Sequence, residues 1–126
     1  MSGFNQELGA RGEETAAEYY KEQGYAIVAR NYRAASDEID IIAENDRTVV
    51  FVEVKTRSAG NEGFGRPSLA VNSRKRMCLV RCAQAYMRKN KTSKFHRFDV
   101  VEAVVNGDTH RLTCIKNAFG SDGKVI

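Results

Sequence analysis

A mixed α/β fold, ordered helix, three strands, helix, two strands, follows from three features of the sequence. Thr48–Lys55 is a nearly continuous apolar run rich in β-branched residues, the pattern of a strand buried on both faces. Two segments carry helical spacing, one before the first strand and one between the third and fourth. Asn45-Asp46-Arg47 and Asn106-Gly107 are turn signals that join strand pairs as hairpins. A long helix between two strands crosses over one face of the sheet, so the sheet is expected to be mixed. The 126 residues suffice for one domain spanning 1–126 with a real core, and are too few for two.

The first helix is expected from about Asn5 to Gln23, stopped by Gly24 and weakened early by Gly9 and Gly12. Glu13, Ala16, Ala17 and Tyr20 share its inward face, while Glu14, Glu18, Lys21 and Glu22 form the solvated one. Tyr25–Tyr32 reads as the first strand. Arg30 and Arg33 near its end fit phosphate contacts and edge-strand charges equally. Asp37–Ala43 and Thr48–Lys55 are the next two strands. Ser58–Pro67, with Gly60, Gly63, Gly65 and the sole proline, is a loop that could close over a substrate. A second helix runs from Leu69 to about Asn90, capped near Asn72 or Ser73. Leu79, Cys82, Ala83 and Tyr86 form its apolar stripe, and Lys75 lies on that stripe one turn earlier. Phe95–Val105 and Thr109–Lys116 are the last strands, with Asp99 expected to partner an arginine of the sheet. The tail after Phe119 is expected to fray.

The charges inside the central hairpin are the chemical signal. Glu53 and Lys55 share a strand face by alternation. If Asp46-Arg47 is a two-residue loop, Asp40 stands directly opposite Glu53. If Asn45-Asp46 is the loop, the two carboxylates are diagonal neighbours. A three-residue loop without a bulge would separate them. Like charges facing each other on a sheet cost roughly 0.2–1 kcal/mol, and more when buried. A divalent cation between them removes that cost, since Mg²⁺ takes oxygen ligands.

Composition narrows the partners. Lys and Arg number 20 against 16 Asp and Glu, a net charge of +4 that leans toward anionic partners. Between Glu62 and Asp99 no acidic residue occurs, while Arg66, Arg74, Lys75, Arg76, Arg81, Arg88, Lys89, Lys91, Lys94 and Arg97 all do. One-signed clustering is the footprint of a surface for a polyanion such as nucleic acid. Cys78, Cys82 and Cys114 form no CxxC pair and no disulfide framework, and read as buried thiols rather than a zinc site. No apolar leader and no bilayer-length apolar run is present, so a cytoplasmic protein without membrane contact is expected.

Asp40 followed by Glu53-Val54-Lys55 resembles the D…(D/E)-x-K signature of restriction-endonuclease-like nucleases, whose core has the same αβββαβ order; the added C-terminal strand extends it. Gly12-Glu13, Arg30-Asn31-Tyr32-Arg33, Glu38–Ala43, Val52–Arg57, Arg97–Val100 and Asn117-Ala118-Phe119 together resemble the YraN-like family of uncharacterised bacterial proteins, itself similar to archaeal Holliday-junction resolvases. The likeness covers nearly the whole chain. It implies that Asp40 and Glu53 hold Mg²⁺ or Mn²⁺, with the Val54 carbonyl as a further ligand and Glu13 supporting the metal. Lys55 would orient or deprotonate the attacking water, or stabilise charge at phosphorus, and Lys75 would complete the site. Arg57, Arg74, Lys75, Arg76 and Arg81 would hold the backbone of a nucleic acid, with DNA the expected substrate and branched DNA a candidate form. Resolvase-like relatives act as homodimers. The sequence departs from these patterns at Ile39, where the superfamily motif has proline, and at Asp37, where the family usually has glycine. The expected activity is metal-dependent phosphodiester hydrolysis. A non-catalytic nucleic-acid-binding module on the same fold, and more remotely a protein-interaction adaptor, are the alternatives.

Overall fold

The computed structural model describes residues 2–60 and 71–126, with the side chains of the first helix described from Gln6 onward. The elements are α1 (Ser2–Glu22), β1 (Ala26–Ala34), β2 (Asp37–Glu44), β3 (Thr48–Ser58), α2 (Ser73–Asn90), β4 (Phe95–Asn106) and β5 (Thr109–Phe119). They match the expected α/β order, an αβββαβ core with one added strand. The five strands form one sheet in sequence order. Only β3 and β4 pair in parallel, joined across one face by α2; the other neighbours are antiparallel. From residue 61 on, the glycine-rich loop lies outside the described residues.

The two helices cover opposite faces, which is why β3 reads as apolar throughout. On one face Ala16, Ala17 and Tyr20 of α1 pack on Ile41, Ala43, Val50, Val52 and Val101. On the other, Leu79, Val80, Cys82 and Ala83 of α2 pack on Ile42, Val49, Phe51, Phe98 and Phe119. The three cysteines are free thiols; Cys82 is buried, and Cys78 and Cys114 are half-buried.

The close seat of α1 depends on Gly12. A Cβ there would overlap the side chain of Thr56 on β3. Gly12→Ala is therefore expected to cost about 1–3 kcal/mol by overpacking. Thr56→Ala removes the two nearest obstructing atoms, so the double variant should recover part of that loss in urea denaturation.

The second helix begins at Ser73, capped as expected by Asn72, whose side chain accepts the Lys75 N–H at 2.8 Å; Leu69 lies outside the described residues. One expectation is corrected. The tail after Phe119 does not fray. It folds back so that Phe119 bridges Val125 and the Ile126 N–H donates to the Ala118 carbonyl. Arg76 fastens it, donating from Nε to the Gly123 carbonyl at 2.6 Å. Gly123, at φ +78°, sits so close to Met77 that a Cβ would collide with it.

Candidate active site

The geometry of the central hairpin begins at its turn. The Asn45 side chain accepts the N–H groups of Arg47 and Thr48 at 2.9 and 2.8 Å, and the Asn45 N–H donates to the Thr48 carbonyl. This asparagine turn selects Asp46-Arg47 as the two-residue loop. The register that follows pairs Glu44 with Val49 through Ile41 with Val52, so the next position sets Asp40 against Glu53.

At that position β2 and β3 part. Val54 is the next β3 residue whose N–H faces β2, yet it donates to the Asp40 carboxylate at 2.8 Å instead of continuing the ladder. The N–H and C=O of a paired strand residue face the same neighbour, so the Val54 carbonyl turns to the same opening. Side-chain alternation also fails here. Ile39 and Ile42, three residues apart, both join the core under α2, while Ile41 joins the core under α1. Asp40 lies at the step where the pleat is lost and turns toward β3. A regular strand would have fixed its carboxylate on one face of the sheet.

Glu53 is 6 % exposed, and Lys55 Nζ lies 3.4 Å from its Oε2. Among the described residues no donor meets Glu53 Oε1. Burial, then the charge of Asp40, pushes the Glu53 carboxyl up to about 7, against the opposing pull of Lys75 and Lys55. Burial also raises Asp40, with the Val54 N–H working the other way. The two carboxyl groups act on each other, the charge of Asp40 helping to raise Glu53. Glu13 is raised by burial and then by Asp40, while Arg30 and the Asn31 amide oppose the shift. Thus Glu13 of α1 and Lys75 of α2 both act on Asp40, one from each face of the sheet.

These shifts carry a stability signature. Glu53 takes up its proton in the folded state nearer 7 than its ordinary 4.5. The stabilisation from that proton is complete below about 4.5 and is lost as pH rises through about 7. Cation-free protein should lose on the order of 2 kcal/mol from this group between pH 5.5 and 8. Urea titrations should show this loss in the wild type and its near absence in Glu53→Gln.

The basic residues divide. Arg74 is exposed at the start of α2, and Arg81 is exposed while pairing with Asp37 at 3.6 Å. Lys75 is half-buried beside the carboxylates and borders a small cleft with Arg33, Ser36, Asp37 and Glu38. Arg57 pairs with Glu102 at 3.5 Å. Arg76 spends its guanidinium on the carbonyls of Gly123 and Val71. Asp99 has the structural partners expected of it, with Arg97 Nε at 3.0 Å and the Tyr20 hydroxyl at 2.6 Å.

The donor set suits a hard cation. Two adjoining carboxylates sit where burial makes their joint charge costly, and one buried oxygen lacks a partner. Asp40, Glu53 and the Val54 carbonyl would hold Mg²⁺ or Mn²⁺. Among the described residues, no three His, Cys, Asp or Glu side chains converge on one point; Glu13, expected to support the metal, acts on Asp40 by charge. Sequence reading gave Asn31 no role. Its signal was an asparagine within a strand, a residue depleted there and enriched at positive φ.

A model of the uncharacterised protein family UPF0102 matches residues 12–103, a span that contains Glu13, Asp40, Glu53, Lys55 and Lys75. A UPF0102 protein of Alkaliphilus oremlandii is 44% identical over 119 residues, covering 92% of this chain and 100% of the relative. One from Clostridium botulinum is 43% identical over 123 residues, covering 94% and 98%. One from Geobacter metallireducens is 39% identical over 120 residues, covering 94% and 97%. Among the described residues no helix is long and apolar enough to cross a membrane.

Proposed function

The chain belongs to the uncharacterised protein family UPF0102, and from the cluster at the parting of β2 and β3 we propose that it is a metal-dependent nuclease cutting phosphodiester bonds in DNA. The single observation that carries this reading is the set of Asp40 and Glu53 carboxyls with Lys55 at 3.4 Å, gathered where the sheet opens. The αβββαβ order around that set supports placing the chain among restriction-endonuclease-like nucleases, with archaeal Holliday-junction resolvases as the nearest functional analogy.

Phosphodiester hydrolysis needs a nucleophilic water and relief of charge at phosphorus. A bound Mg²⁺ or Mn²⁺ supplies a more acidic water and a Lewis acid for a phosphate oxygen. The protein's own groups do the rest. The Val54 N–H fixes Asp40 in the opening, on the step of β2 that stands opposite Glu53. Lys55, beside Glu53, directs a water or meets the charge that develops on the phosphate oxygens. Lys75 approaches from α2 and offsets the paired carboxylates. The basic start of α2 would grip the phosphate backbone, which positions a substrate without reading its sequence.

A second reading, a nucleic-acid-binding module without catalysis, is favoured by one observation: among the described residues no third acidic or imidazole ligand joins the pair. One assay separates the two. Purified protein is incubated with Mg²⁺ or Mn²⁺ and single-stranded, duplex and branched DNA, and RNA. The nuclease reading expects cation-dependent cleavage that Asp40→Ala reduces at least about a hundredfold. Binding with no cleavage of any substrate, unchanged in Glu53→Ala and Lys55→Ala, would establish the module instead.

A further inference from the structure

We infer that Asn31 is a positioning residue for the cation site, and that its left-handed backbone releases Asp40 from the strand pleat and turns its carboxylate toward β3. The inference rests on the nuclease reading of the carboxylate pair and adds a residue to it.

The observation is a paired irregularity. Asn31 lies within β1 at φ +51°, a conformation that interrupts an extended strand. The β1–β2 ladder pairs Arg30 with Ile41 and Tyr32 with Ile39, and it skips the pair between them, Asn31 with Asp40. Alternation is lost in both strands at this step. On β1, Ala29 and Tyr32 both pack toward α2; on β2, Ile42 and Ile39 do the same. Residues three apart on a regular strand would face opposite sides. The left-handed residue therefore rotates one strand by a step, and its neighbour follows to keep the register. Asp40 is the β2 residue at that step, and its carboxylate accepts the Val54 N–H.

The molecule contains a second case that makes the device legible. Asn117 on β5 stands at φ +55°, and the β4–β5 ladder shifts register between Phe98 and Val100, around Asp99. There the Asn117 N–H donates to Asp99 Oδ1 at 3.0 Å. In both places an asparagine on an edge strand, in the left-handed region, stands beside an aspartate on the adjacent inner strand. The two aspartates then meet different surroundings. Asp99 is sealed by Arg97 and Tyr20. Asp40 faces Glu53, whose Oε1 meets no donor among the described residues. The first arrangement builds a core and the second an opening. Asparagine suits the step because, after glycine, it enters the left-handed region most readily. Its amide also pulls the Glu13 carboxyl down, linking the step electrostatically to α1.

The test uses Mn²⁺ alone as the probe, with calorimetric titration of the full chain and no nucleic acid. Asn31→Gly keeps access to positive φ and should bind Mn²⁺ within about twofold of wild type. Asn31→Val, which favours an extended strand, should bind at least about tenfold more weakly. Asn117→Val is the control: it disturbs the equivalent step beside Asp99 and should leave Mn²⁺ affinity unchanged. Should either valine variant fail to fold, Asn31→Ala and Asn117→Ala replace them, with weakening again expected only at position 31. Amide exchange gives a cation-free readout. The Val54 N–H should exchange faster in the weakened position-31 variant than in Asn31→Gly. Wild-type affinity in Asn31→Val or Asn31→Ala overturns this inference and leaves the nuclease reading standing. Equal weakening at positions 31 and 117 overturns it as well, by reducing it to general destabilisation. Failure of the wild type to bind Mn²⁺ overturns the cation site itself, and this inference with it.

Discussion

Lys55→Ala is expected to lower the rate of DNA cleavage by about 10²–10⁴-fold while leaving substrate affinity within a few-fold of wild type. The reason is position. Lys55 Nζ lies 3.4 Å from Glu53, on the strand that parts from β2, and is about one-third exposed. Under the proposed nuclease function, a cation there would act on water or on phosphate oxygens during the reaction, whereas ground-state grip would fall to the exposed basic groups of α2. Lys55→Arg should recover little, because a planar fork with fixed donor directions does not reproduce a compact ammonium. Single-turnover cleavage of a labelled substrate, with binding measured in Ca²⁺, separates the two quantities. Loss of affinity equal to the loss of rate would assign Lys55 to binding.

Asp99→Ala is expected to cost about 3–5 kcal/mol of stability, a large share of what a domain of this size possesses. The Asp99 side chain is fully buried and has four donors: the Tyr20 hydroxyl at 2.6 Å, Arg97 Nε at 3.0 Å, Arg97 Nη2 at 3.2 Å and the Asn117 N–H at 3.0 Å. Burial alone would lower the Arg97 guanidinium, but the hydrogen bonds and charge of Asp99 raise it above its ordinary range. Removing the carboxylate leaves that cation, a buried phenol and a main-chain N–H without their acceptor. The network ties α1 to β4 and β5. Asp99→Asn keeps an acceptor and should cost less. Urea denaturation of the three proteins measures both steps, and similar midpoints for wild type and Asp99→Ala would show that the network contributes little.

The order of elements was legible because each carries its own period. Helical spacing around Ala16, Ala17 and Tyr20 and the unbroken run of β3 leave few alternatives, and the observed helices cover both faces of that run. The hairpin register was legible down to a choice of loop, which the Asn45 side chain decides. Hence Asp40, Glu53 and Lys55 come together where the sequence put them. The parting of the strands was not legible. Alternation predicts a regular pleat, and the turn of Asp40 toward β3 depends on the conformation of Asn31 on a neighbouring strand. The ordered tail was missed for a similar reason. Gly, Ser and Asp signal loose chain locally, while the contacts that fix Gly123 come from Arg76 and Met77 on α2. The basic run was legible as charge but not as allocation. Arg76 serves the fold, Lys75 pulls electrostatically on the carboxylates, and Arg74 stays exposed at the start of α2.

Mn²⁺ titration of wild type and Asp40→Ala at pH 8, without nucleic acid, is the most direct measurement. Wild type is expected to bind with heat that saturates near one ion per chain, and Asp40→Ala to show no saturable binding. Repeated at pH 6, below the Glu53 value of about 7, the ion should displace the Glu53 proton, so the heat there should vary with the ionisation enthalpy of the buffer. Equal binding by both proteins, or no binding by wild type, would contradict a cation site at the parting of β2 and β3.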